Sequence, residues 1–63
     1  MPIIQINLIE GRTTDQKRKL VASVTEAVTK SLDVGPDAVR IILQDMSKEN
    51  YAVGGTLILD TKG

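Results

Sequence analysis

Sixty-three residues without a single Cys or His leave no disulfide and no thiolate or imidazole site, so a chain this short is expected to lean on a partner chain for stability. Eight basic side chains balance eight acidic ones and Tyr51 is the sole aromatic residue, which argues against a nucleic-acid surface built from a basic stripe and stacking rings. No apolar run approaches the roughly 20 residues that span a bilayer, and no basic stretch followed by a long apolar core opens the chain, so a cytoplasmic protein with no membrane partner is expected.

Residues 3–9 read Ile-Ile-Gln-Ile-Asn-Leu-Ile. Ile4, Ile6 and Leu8 fall on one face of a strand, and Ile3, Gln5, Asn7 and Ile9 on the other. That second face is mixed rather than wholly polar, which suits a strand covered there by another subunit. Glu10-Gly11-Arg12 breaks the alternation and reads as a turn. Thr13, followed three residues later by Gln16, has the form of a capping box, and Asp15 places an acid where the helix dipole favours one. Leu20, Val21, Val24, Ala27, Val28 and Leu32 then recur at helical spacing. They predict a helix from Thr13 to about Leu32, with Lys17, Lys19, Glu26 and Lys30 mostly on the outer side and Gly35-Pro36 as its stop. The Lys17-Arg18-Lys19 run reads as part of a solvated helix face.

Val39 to Met46 alternates again, Val39, Ile41 and Leu43 against Arg40, Ile42 and Gln44, and predicts a second strand. Strand, helix and strand make a β-α-β unit with parallel strands and a right-handed crossover. One helix covers one sheet face; the other face carries Ile and Leu in places, so self-association is the economical solution. Beyond the polar connector Ser47 to Asn50, Tyr51 to Asp60 is expected to form a small β-hairpin around Gly54-Gly55 that packs on a neighbouring chain. The expected class is α+β, a single oligomeric domain over residues 1–63.

With no His or Cys, a nucleophile–imidazole pair is excluded, and no Gly-rich phosphate loop is present. The conspicuous feature is Met-Pro running directly into a strand. Removal of Met1 would leave Pro2 as a rigid secondary amine, a base needing no side chain. An apolar pocket near cations disfavours the protonated form of such an amine and tunes it for work near neutral pH. The plainer reading is that Pro2 merely opens a strand, where Pro is tolerated. Arg12 on its turn and Arg40 inside the second strand each offer a planar fork suited to a carboxylate, although a turn charge and polar-face alternation account for them equally well. Tyr51 reads as an unremarkable core filler.

Met-Pro-Ile-Ile-Gln-Ile, Leu8 to Arg12 as Leu-Ile-Glu-Gly-Arg, Gln16-Lys17, Val39-Arg40, Tyr51 and Gly54-Gly55, in this order and spacing, closely resemble the 4-oxalocrotonate tautomerase family. The resemblance runs from Pro2 to about Gly55. It implies keto–enol isomerisation of 2-hydroxymuconate-type dienols to 2-oxo-3-hexenedioate-type enones, with Pro2 as general base. It implies that Arg12 binds the distal carboxylate of a dicarboxylate or 2-oxo acid substrate. Arg40 would bind the carboxylate beside the 2-oxo or 2-hydroxy group and stabilise charge on that oxygen. The family usually has Phe where Tyr51 stands, so the pocket gains a hydroxyl that must find a partner or water. No metal or organic cofactor is implied, and the assembly implied is a homohexamer built from dimers, whose sites combine neighbouring chains. Two other readings are a hydratase or dehalogenase of the same superfamily, which would need an acid that the stretch after Tyr51 lacks, and a non-catalytic oligomeric module.

Overall fold

Thr13 starts the helix as expected. Its hydroxyl accepts from the Gln16 N–H at 3.1 Å, and the Gln16 side-chain oxygen accepts from the Thr13 N–H at 3.0 Å, so two orphan donors of the first turn are satisfied reciprocally. Residues 1–61 are described by the structure, a computed structural model; Lys62 and Gly63, the end of the expected domain, lie outside the described residues. The elements are β1 (Ile3–Ile9), α1 (Thr14–Leu32), β2 (Arg40–Met46), β3 (Ala52–Val53) and β4 (Thr56–Leu57). Short 3-10 turns cover Pro36–Ala38, Lys48–Asn50 and Ile58–Asp60.

β1 and β2 pair in parallel, Ile3 opposite Arg40 through Ile9 opposite Met46. The period of two then puts Ile4, Ile6, Leu8, Ile41 and Leu43 on one face, all half-buried, and Ile3, Gln5, Asn7, Arg40, Ile42 and Gln44 on the other, all exposed. Helix α1 covers the first face with Leu20, Val21, Val24 and Val28. Across the open face the Gln5 amide donates to Gln44 Oε1 at 3.2 Å, and Ile3 and Ile42 stand 65% and 52% exposed. None of the described residues is fully buried. The accessible surface of 4935 Å² exceeds the roughly 4,000 Å² of a globular monomer of this mass. The radius of gyration, 14.8 Å, compares with about 11 Å for a compact domain of this length.

Four details differ from expectation. The helix is ended by Asp33, not by Gly35-Pro36: Asp33 adopts the left-handed conformation (φ 55°) and its N–H returns to the Thr29 carbonyl, a role a short polar side chain tolerates. Ala27 and Leu32, expected in the covered stripe, are exposed. For Leu32 the reason is length, since 19 helical residues span about 28 Å and seven-residue strands only about 23 Å, leaving the last turn overhanging. Lys17, expected outside, turns inward to Asp45 at 2.7 Å; it lies three and four residues before Leu20 and Val21, on their face. Finally, the hairpin pairs only Ala52–Leu57 and Val53–Thr56 across Gly54 and Gly55, both at positive φ (61° and 86°), as its tight turn requires. One further backbone bond, from the Ile58 N–H to the Tyr51 carbonyl, closes the hairpin before Ile58–Asp60 curls into a 3-10 turn.

Candidate active site

The parallel register decides where the candidate side chains stand. The Arg40 N–H donates to the Pro2 carbonyl at 3.0 Å, which extends the β1–β2 ladder by one rung and fixes these two residues side by side where both strands begin. The Arg40 guanidinium folds back to donate to the Asp37 carbonyl at 2.6 Å, so the Pro36–Ala38 turn orients it. Pro2 is half-buried and Arg40 exposed, with Ile3 and Ile42 as apolar neighbours of Arg40 on its sheet face. With Met1 attached the Pro2 nitrogen is an amide and has no basicity; the amine appears only when Met1 is removed.

Arg12 stands at the other end of the sheet. Six residue steps from Ile3 to Ile9 span about 20 Å, and the turn at Gly11 (φ 118°) then leads into Thr13 and the helix. Here a cavity of about 260 Å³ is lined by Leu8, Arg12, Gln16, Lys17 and Leu20. An extended six-carbon dicarboxylate separates its carboxyl carbons by at most roughly 7 Å. One chain therefore cannot offer Pro2, Arg40 and its own Arg12 to one such molecule. Of the four residues singled out in the sequence, the fold brings together Pro2 and Arg40, separates Arg12 from them, and sets Tyr51 at the root of the hairpin. The Tyr51 carbonyl accepts from the Ile58 N–H at 2.9 Å, its side chain is exposed, and it does not line the Arg12 cavity.

Two residues of the Arg12 end escaped the sequence reading. Lys17 lines the cavity and is tied to Asp45, which shares the helix-covered face of β2 with Ile41 and Leu43. Periodicity carried both signals: Lys17 lies on the Leu20–Val21–Val24 stripe, and Asp45 lies at the same strand parity as Leu43.

What the arrangement offers chemically is a potential secondary amine beside one guanidinium, and a second guanidinium at the rim of an apolar-floored cavity, held about a strand's length apart within one chain. Comparisons with known proteins show the family. The family described as "Tautomerase enzyme" matches residues 2–61. A 2-hydroxymuconate tautomerase of Pseudomonas putida is 44% identical over 57 residues, 90% of each chain. One of the 4-oxalocrotonate tautomerase isozymes from Methylibium petroleiphilum superposes with a TM-score of 0.90 at 52% identity, over 92% of this chain and 91% of that one. The heterohexamer 4-oxalocrotonate tautomerase from Chloroflexus aurantiacus gives a TM-score of 0.93 at 31% identity, over 98% and 100% of the two chains.

Proposed function

This chain belongs to the tautomerase family and is an isomerase, and we propose that it converts 2-hydroxymuconate to 2-oxo-3-hexenedioate with the amine of Pro2 as general base. The observation that carries the substrate is the likeness to the Pseudomonas putida 2-hydroxymuconate tautomerase over nine-tenths of both chains. The amine of Pro2, freed of Met1, takes the proton of the 2-hydroxyl group. The electron pair moves through the conjugated system, and the proton returns at the carbon next to the far carboxylate. Arg40 pairs with the carboxylate beside the developing 2-oxo group and stabilises charge on that oxygen, a role supported by its place one rung from Pro2. Arg12 holds the far carboxylate and sets the length of the substrate. Tyr51 contributes ring surface to the pocket. The substrate's own carbonyl stores the charge, so the residues named carry the chemistry without a cofactor.

The Arg12 of each site comes from a neighbouring chain. A two-fold axis across the open faces or edges of two β-α-β units runs their strands in opposite directions, and sets one chain's Pro2–Arg40 end against its partner's Arg12 end. The surface excess of the single chain and the uncovered Ile3, Ile42, Val53 and Leu59 support a homo-oligomer of this kind, and the Chloroflexus aurantiacus relative is a heterohexamer. A homohexamer is the assembly we infer, each chain acting as one domain over residues 1–63. Among the described residues no helix is long and apolar enough to cross a membrane, and the cytoplasm is the compartment we propose.

The test is turnover of 2-hydroxymuconate by protein whose mass shows loss of Met1, beside the Pro2→Ala variant. Removing a positioned general base is expected to cost about 10²- to 10⁴-fold in kcat/KM. Equal turnover by both proteins would take Pro2 out of its role; negligible turnover by the parent would reject the substrate.

A further inference from the structure

Three ion pairs join described side chains. Arg18–Asp15 and Lys30–Glu26 run along the outer helix surface with mostly exposed side chains. Lys17–Asp45 differs in kind: it joins helix to sheet at 2.7 Å, with the two side chains only 29% and 42% exposed. Lys17 also lines the cavity that holds Arg12. An ammonium carries three N–H donors, and the one described hydrogen bond of Lys17 Nζ uses a single one of them, on Asp45 Oδ2. Arg12 makes no ion pair among the described residues. The cavity thus presents two cations, of which one is tethered to a carboxylate, that of Asp45, which stands outside the lining and cancels part of their field.

We propose that Lys17 is a specificity-determining residue for dicarboxylates: its remaining donors share the far carboxylate of the substrate with Arg12, and Asp45 sets both its position and the net charge the substrate meets. This inference rests on the reaction proposed above. Two physical consequences follow from the geometry. Losing Lys17 removes one cation and also exposes the unpaired Asp45 carboxylate, which repels an anionic substrate; both effects weaken binding of the far end. Losing the charge of Asp45 leaves Lys17 uncancelled and strengthens binding of the same end. A bridge that only fastened helix to sheet would respond in the same direction to either loss.

The experiment measures KM and kcat of the Met1-free assembly for 2-hydroxymuconate and for 2-hydroxypenta-2,4-dienoate, which lacks the far carboxylate. In Lys17→Met the KM for the dicarboxylate is expected to rise about tenfold, the loss of one charge-assisted hydrogen bond, while the KM for the monocarboxylate stays within about twofold. In Asp45→Asn the KM for the dicarboxylate is expected to fall about threefold, again without change for the monocarboxylate. Lys17→Arg retains the dicarboxylate preference. Parallel losses in Lys17→Met and Asp45→Asn on both substrates, or unchanged KM values in both, would overturn the proposal. If the parent turns over neither dienol, the reaction is rejected separately, and calorimetric binding of adipate against hexanoate decides for Lys17. A preference for adipate that disappears in Lys17→Met supports it; no preference in the parent, or one that survives the substitution, overturns it.

Discussion

Where the two parallel strands begin, Pro2 and Arg40 share a backbone hydrogen bond of 3.0 Å, and Ile3 and Ile42 lie uncovered around them. Where the strands end, roughly 20 Å away, Arg12 and Lys17 border a cavity floored by Leu8 and Leu20, and the capping box of Thr13 and Gln16 fixes the start of the helix beside it. The first end carries Pro2 and Arg40, and neither lines the Arg12 cavity. The second has a cavity and cations but no base. In the proposed reaction each is half of a site, and the physical reason is size: 63 residues make one layer of helix on two strands, with no fully buried residue among those described. A catalytic pocket has to be walled by other copies.

The comparison breaks most sharply at the arginines. On the proposed mechanism Arg40→Ala removes the group next to the developing oxyanion, and kcat is expected to fall about 10²- to 10³-fold. Arg12→Ala acts on the far carboxylate, so its principal effect falls on KM. Neither chain has an intact site in its own homo-oligomer, but dissociating the two variants and reassociating them together restores some sites to a full set. Steady-state assay of the mixture is expected to regain up to about a quarter of parental activity, the fraction that random assortment of chains allows. A mixture no better than its components would mean that the two ends serve different sites.

The two faces of the sheet sharpen the picture next. Ile6 is half-buried under the helix, and Ile6→Ala is expected to cost about 2–3 kcal/mol, the lower part of the range for such truncations, read from denaturant unfolding. Ile42 is open in the single chain, and Ile42→Asp is expected to leave the helix content intact while shifting the assembly to smaller species in sedimentation. Stability falling with Ile42→Asp but assembly size unchanged would show that this face is not an interface. Thr13→Ala loosens the Arg12 end by one cap, about 1 kcal/mol, measurable as an earlier unfolding midpoint. The smallest effect is expected from Gly35→Ala. Its Cβ would meet the Asp37 carboxylate at 2.9 Å, a side-chain end free to swing aside, so stability within about 0.5 kcal/mol of the parent is expected together with an unaltered KM.

Local physics made much of this chain legible from its residues. Alternation in residues 3–9 and 39–46 specified two strands and which face each presents. The Thr13–Gln16 spacing announced the helix start, and the Gly54-Gly55 pair announced a turn that needs two positive φ values. Pro2, Arg12 and Arg40 stood out by their chemistry, but only the resemblance joined them with Tyr51 in one site, since nothing in the separation of positions 2, 12 and 40 says that they share a substrate. Asp33 as the helix terminator was hidden because a Gly-Pro pair lay two residues beyond. The inward turn of Lys17 was hidden because a charge is first read as solvent-facing, although its periodicity was that of the covered stripe.

The sequence by itself determined the elements, their order, the polarity of each face and the absence of Cys and His chemistry, because these depend on periods of two and 3.6 and on residue type alone. Only the tertiary structure decided that Arg40 lies one rung from Pro2, that Arg12 lies a strand's length from both, and that Lys17 meets Asp45. Those are facts of register, and register is set by which residue of one strand lies opposite which residue of another, a relation that pairs positions nearly forty apart and that no local pattern contains.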